Sequence, residues 1–190
     1  MRSSYIESYK DLYHGTTEEY AAQIVDTQTF IPSETGWCGK GVYFYDNKAK
    51  AWWSAQRTCY QERKRGKKAK ADVVIADIPQ LSRSVILDLR AKEDMIVFAD
   101  YVEMFFSEVT DFYIVEKMSE KDCLEKKRAM LLNFFCKENN RQLIIGYFKQ
   151  EHKEEIQPVE PFASAWQLAI GIETIYCAKI PEIVKNIRRR

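Results

Sequence analysis

Glycine is scarce in this chain and unevenly placed. Three of its seven glycines fall within Gly36-Trp-Cys-Gly-Lys-Gly-Val-Tyr-Phe-Tyr-Asp46. Glycine reaches positive φ and admits a close backbone neighbour without steric cost. So dense a cluster ahead of the β-prone run Val42-Tyr43-Phe44-Tyr45 marks a tight turn feeding a strand. A second block, Leu12-Tyr13-His14-Gly15-Thr16, holds one of the two histidines. There an apolar strand ends in an imidazole followed by a glycine, and such a glycine lets backbone come close to a ligand.

The remaining composition narrows the class. At 190 residues, 46% hydrophobic and 30% charged, the chain fits one globular domain spanning residues 1–190. The five cysteines (Cys38, Cys59, Cys123, Cys136 and Cys177) are odd in number and form no CxxC. They read as reduced, mostly buried thiols and not as a disulfide framework or zinc site. No base stands beside Cys38 to activate it. Nothing approaches the ~18 apolar residues of a membrane span, and the first ten residues carry no apolar signal core. A cytoplasmic protein with no membrane contact is expected. Net charge is +1, but Arg63-Lys-Arg-Gly-Lys-Lys-Ala-Lys70 carries six basic residues and no acid. That run reads either as a solvated loop or as a patch for phosphates of nucleic acid.

Pattern and punctuation predict a mixture of strands and helices. Leu12–His14 reads as a short strand. Thr16 and Glu19 form a capping box for a helix to about Thr27, with Tyr20, Ala21, Ile24 and Val25 inward. Gly41–Tyr45 is a strand, and Lys48 to about Arg65 a helix in which Ala49, Trp52, Trp53, Cys59 and Tyr60 recur at helical spacing. Trp52 and the aromatic residues of 101–113 read as core. Asp72–Ile78 is a strand closed by Pro79, and Ser84–Leu89 another. Lys92–Ser107 and Glu120–Asn139 are helices, the second with Leu124, Leu131, Phe134 and Phe135 inward, and 112–115 is ambiguous. Leu143–Phe148 and Glu173–Cys177 are strands, 149–161 a loop, and Pro181–Arg190 a short terminal helix. This lacks the regular strand–helix alternation of a doubly wound sheet, and neither GxGxxG nor a P-loop motif occurs. The fold class is α+β.

The two glycine-bearing blocks together resemble the poly(ADP-ribose) polymerase branch of the ADP-ribosyltransferases, the His-Tyr-Glu class shared with diphtheria-type toxins. The likeness rests on His14-Gly15-Thr16, Gly39-Lys-Gly-Val-Tyr-Phe44, Asp46 and the helix at Ala49-Lys-Ala-Trp-Trp53, about 25 residues in all. It implies a split β-sandwich with peripheral helices and NAD as the substrate. By resemblance, His14 holds a ribose 2′-hydroxyl, Gly15 pairs with the nicotinamide amide through its backbone, and Tyr43 stacks on the nicotinamide. Thr16 and Gly41 flank these positions and join the NAD-binding set. The chain departs from the pattern twice. The serine expected to accept the amide hydrogen falls near Ala49 or Lys50, and the second stacking tyrosine falls near Trp53.

The third triad member is a glutamate opening a late strand, and Glu173-Thr-Ile-Tyr176 fits that context. A fixed carboxylate there would stabilise the oxocarbenium-like ribose left when nicotinamide departs, and would help activate the acceptor. Gln167 is its main rival; Glu155 and Glu160 are weaker ones. Phe162 and Trp166 fall where an acceptor-contacting loop would lie, and His152 sits in a charged, solvated run. The resemblance implies a mono-ADP-ribosyltransferase of the small stand-alone toxin or phage-defence type. Its acceptor would be a nucleic acid or a protein, and an antitoxin or inhibitor protein is a further expected partner. Two alternatives share the fold: an NAD glycohydrolase, and a catalytically inactive domain that binds ADP-ribose or a protein.

Overall fold

A computed structural model of the chain describes residues 5–109, 120–149 and 172–189. Its elements in chain order are β1 (Ile6–Thr17), α1 (Glu18–Thr27), β2 (Val42–Tyr45), α2 (Lys48–Lys64), β3 (Ala71–Ser82), β4 (Ile86–Asp88), α3 (Lys92–Val109), α4 (Glu120–Glu138), β5 (Leu143–Lys149), β6 (Ile172–Ala178) and β7 (Lys185–Arg189). The strands form one seven-stranded sheet in the order β4-β5-β6-β2-β1-β3-β7. All neighbours are antiparallel except β4 and β5. The architecture is therefore a mixed, α+β one.

One face of the sheet closes on itself. Leu12, Phe44, Val74, Ile78, Ile86, Ile145, Tyr176 and Ile187, drawn from all seven strands, share one buried cluster, which Ala21 and Ile24 of α1 help close. The opposite face is covered in two places. Leu132, Phe135 and Cys136 of α4 pack over Leu87, Ile144 and Cys177, with Phe98 and Tyr101 of α3 against them. Ala51 of α2 packs over Tyr45, Val73 and Ile175, with Tyr13 and Tyr43 alongside. Backbone irregularities mark the β1-β3-β7 side of the sheet. Asp11 and Asn186 take positive φ of 52° and 53°. Asp77 binds both: its carboxylate accepts the Asp11 N–H at 2.9 Å and the Asn186 side-chain amide at 2.9 Å. Bulges of this kind bend a strand and increase its local twist.

The two halves of the sheet meet at β1 and β2, joined through Tyr13 opposite Tyr45. Helix α2 lies against this junction. Its buried side chains are Ala51, Ala55, Cys59 and Glu62, small residues over most of the contact. The reason is Gly15. A Cβ there would stand 1.8 Å from the Ala51 carbonyl oxygen and 2.8 Å from the Ala55 nitrogen. Only glycine lets helix backbone settle on strand backbone at that distance.

Several expectations from sequence are corrected. The first strand is twelve residues long, not three. The N-cap of α1 is Thr17, not Thr16; its side chain accepts the Tyr20 N–H. Strand β3 continues through Pro79 to Ser82. Residues 181–189 are not a helix: Pro181–Ile183 make one 3-10 turn and Lys185–Arg189 pair with β3 as an edge strand. Trp52 and Phe134 are 45% and 46% exposed and do not belong to the core. The ambiguous segment 112–115 lies outside the described residues.

A Gly15→Ala chain is expected to lose about 3 kcal/mol or more of stability, because the new methyl meets main chain that cannot move alone. Urea unfolding checks this, and an unchanged midpoint would show that α2 does not sit so tightly on β1.

Candidate functional site

His14 lies on β1, three residues before its end. Its ring packs edge-on against Phe30 at 5.1 Å and tilted against Phe44 at 5.8 Å. Its Nδ1 stands 2.8 Å from the Tyr43 carbonyl oxygen on β2. A carbonyl only accepts, so Nδ1 carries the proton and donates. Burial holds the imidazole below its ordinary pKa, more than the Tyr43 bond raises it. The ring is thus neutral at neutral pH, and Nε2 is left with an acceptor lone pair.

Tyr43 follows Val42 at the start of β2, and its side chain reaches into the glycine-rich loop. Ser33 and Gly41 close the base of that loop with paired backbone bonds of 2.9 and 3.0 Å. The Tyr43 hydroxyl accepts the Cys38 N–H at 3.1 Å and donates to the Gly39 carbonyl. Gly36 lies against the phenol, where a Cβ would come within 2.4 Å of Cζ. Gly39 takes φ +78°, and a Cβ there would meet the Ala129 carbonyl oxygen at 2.6 Å. Burial raises the Tyr43 and Cys38 pKa values strongly, so both groups stay protonated and neutral. Cys38 is therefore no nucleophile.

Three residues that pattern reading did not single out fasten the loop from outside. Lys179 Nζ donates to the Cys38 carbonyl at 2.9 Å and to Asn133 Oδ1 at 2.7 Å. Asn133 Oδ1 also accepts the Lys40 N–H at 3.0 Å, and Arg128 Nε donates to the Trp37 carbonyl at 3.0 Å. No short-range signal marks them, because each contact with the loop spans at least 91 positions in sequence. Between this loop and α4 lies an open cavity of about 900 Å³, lined in part by Gly36, Trp37, Arg128 and Asn133.

The remaining candidates divide. Gly15 faces α2, and Thr16 is buried opposite Asp72. Gly41 is engaged with Ser33. Glu173 belongs to β6, its backbone opposite Phe148; two residues on, Ile175 pairs with Tyr45. Strands β6, β2 and β1 are consecutive in the sheet, so the segments bearing Glu173, Tyr43 and His14 are neighbours, but the two rings part: His14 packs with Phe30 and Phe44 of the first cluster, while Tyr43, adjacent to Phe44 in β2, packs against the clusters on the opposite face. Trp53 is not brought to them. Ala51 and Ala55 form the side of α2 that meets Gly15, and Trp53 lies about half a turn away from both, 40% exposed. Gln167, Glu155, Glu160, His152, Phe162 and Trp166 fall outside the described residues.

Neither a known protein family nor a solved structure matches the chain. It is similar to an uncharacterized protein of Methanocaldococcus jannaschii, 27% identical over 142 residues, which cover 73% of this chain and 60% of that protein's length. Among the described residues no helix is long and apolar enough to cross a membrane.

Tyr43→Phe is expected to cost about 1–3 kcal/mol, because it leaves the buried Cys38 N–H without its acceptor. Chemical denaturation reads this, and a loss near zero would show that the loop does not depend on the phenol.

Proposed function

We propose that the chain is an ADP-ribosyltransferase that cleaves NAD at the nicotinamide–ribose bond and transfers ADP-ribose to a nucleic-acid or protein acceptor. The observation that carries this reading is the fixing of His14. Its Nδ1 is committed to the Tyr43 carbonyl, which leaves Nε2 as an acceptor of the kind that suits a ribose hydroxyl. The reading also draws on the strand order β6-β2-β1, which sets the three candidate triad segments side by side. On this reading the sheet is a split β-sandwich, divided at the β1–β2 junction into a β4-β5-β6-β2 half and a β1-β3-β7 half.

Each residue then has a task in the reaction. His14 Nε2 accepts from the ribose and orients it. Gly15 offers backbone to the nicotinamide amide. Tyr43 holds the loop that walls the site. As the glycosidic bond breaks, its electron pair leaves with nicotinamide and positive charge grows on the ribose. The Glu173 carboxylate stabilises that charge and takes the proton of the incoming acceptor. Trp53 has no part in this scheme. We place that transfer in a toxin or defence setting, with an antitoxin or inhibitor protein as partner.

One observation favours a second reading, a domain that binds ADP-ribose without catalysis. Helix α2 lies directly on Gly15, and neither Ala49 nor Lys50 supplies the hydroxyl that would grip the amide.

Nicotinamide release from NAD, with and without cellular RNA and protein, tests the proposal. The intact chain is expected to release nicotinamide, faster with acceptor present. Glu173→Gln is expected to lower the rate about 10²-fold or more while NAD binding changes little, since the charge acts chiefly in the transition state. Release unaffected by acceptors would identify a glycohydrolase. Binding without release would identify the non-catalytic domain.

A further inference from the structure

Helix α2 carries its aromatic residues on the wrong side for a core. Its buried stripe is Ala51, Ala55, Cys59 and Glu62. Trp53, Arg57, Tyr60 and Lys64 follow one another at spacings of four, three and four, which places them on a single stripe on the opposite side. Trp53 is 40% exposed and Tyr60 55% exposed. The stripe alternates ring and cation, and each ring has a cation over it. The Arg57 guanidinium lies 5.8 Å from the Trp53 ring centre and the Lys64 ammonium 4.6 Å from that of Tyr60.

The charge on this helix is one-sided. Lys48, Lys50, Arg57, Arg63 and Lys64 are cationic, and Glu62 is the sole acid. Glu62 belongs to the buried stripe, where Arg65 and Lys67 each bind it at 2.9 Å. No carboxylate of α2 therefore lies on the outward stripe. Beyond it, Lys68 and Lys70 continue the positive charge to a cavity of about 380 Å³, whose other wall carries Glu18 and Glu19 and so ends the track. In a protein of net charge +1, this is a marked segregation of positive charge.

We infer that the outward face of α2 binds single-stranded nucleic acid. The rings stack on unpaired bases, and Arg57 and Lys64 beside them meet the phosphates. Cations alone would suit any polyanion. Interleaved rings suit a strand whose bases are free to stack, and a duplex hides its base faces. The track does not depend on the transferase reading, because it needs neither NAD nor the His14 site. Where that reading holds, the strand gripped here is the acceptor, so this inference names the acceptor class.

Fluorescence anisotropy without NAD tests the inference, with labelled oligo-dT, oligo-U and duplex of about 12 nucleotides, within the footprint of such sites. Both single-stranded probes are expected to bind more tightly than duplex, and their relative affinities tell DNA from RNA. Trp53→Ala with Tyr60→Ala is expected to weaken binding about tenfold or more. Arg57→Gln with Lys64→Gln is expected to flatten the log–log salt dependence by about 1.4, two contacts at ~0.7 each. All four side chains are on the surface, so circular dichroism should show every variant folded. The inference is overturned by no binding of either oligomer, by equal affinity for duplex, by affinity that survives loss of both rings, or by equal competition from polyglutamate. This result is independent of nicotinamide release, so the failure of one reading leaves the other standing.

Discussion

The structure turns on the junction where β1 meets β2. Tyr13 and Tyr45 pair across it, His14 crosses it to the Tyr43 carbonyl, and α2 backbone rests on Gly15 beside it. The junction joins β4-β5-β6-β2 to β1-β3-β7. A backbone carbonyl held by an imidazole is a stiff link, since a buried charge-free ring has few other partners to exchange it for. The same link fixes the ring's tautomer. One hydrogen bond thus ties the two strands and sets the imidazole's tautomer.

The glycines serve this junction more than they serve flexibility. Gly15 admits helix α2, Gly36 admits the Tyr43 phenol, and Gly39 turns the loop against α4. The loop is then held from four directions, by Tyr43, Arg128, Asn133 and Lys179. Tyr43 consequently does more structural work than a stacking residue would. Its hydroxyl is engaged twice, and its ring contributes to the packing beneath α2.

What could be read from sequence was what is local. Strand β2 and helix α2 were expected at Gly41–Tyr45 and Lys48 to about Arg65, and they run Val42–Tyr45 and Lys48–Lys64. Pro181 and Glu182 suit the start of a helix, yet the residues that follow form strand β7. Pairing with β3, a partner about 110 residues earlier in the chain, overrides that preference. The aromatic residues of α2 misled for a related reason. Helical periodicity marks a stripe but not its direction, and the direction was decided by Gly15, which tolerates only small residues opposite it. Trp53, expected beside nicotinamide, therefore lies on the outward side of α2, 40% exposed.

The most direct test of the account is the state of the His14 ring in solution, read from long-range ¹H–¹⁵N spectra across a pH titration, with His152→Gln used to assign the two imidazoles. The account predicts a neutral ring protonated at Nδ1, a titration midpoint below the ordinary 6.5, and an Nε2 resonance that moves when NAD is added. A ring protonated at Nε2, a midpoint at or above 6.5, or an Nε2 signal indifferent to NAD would contradict it.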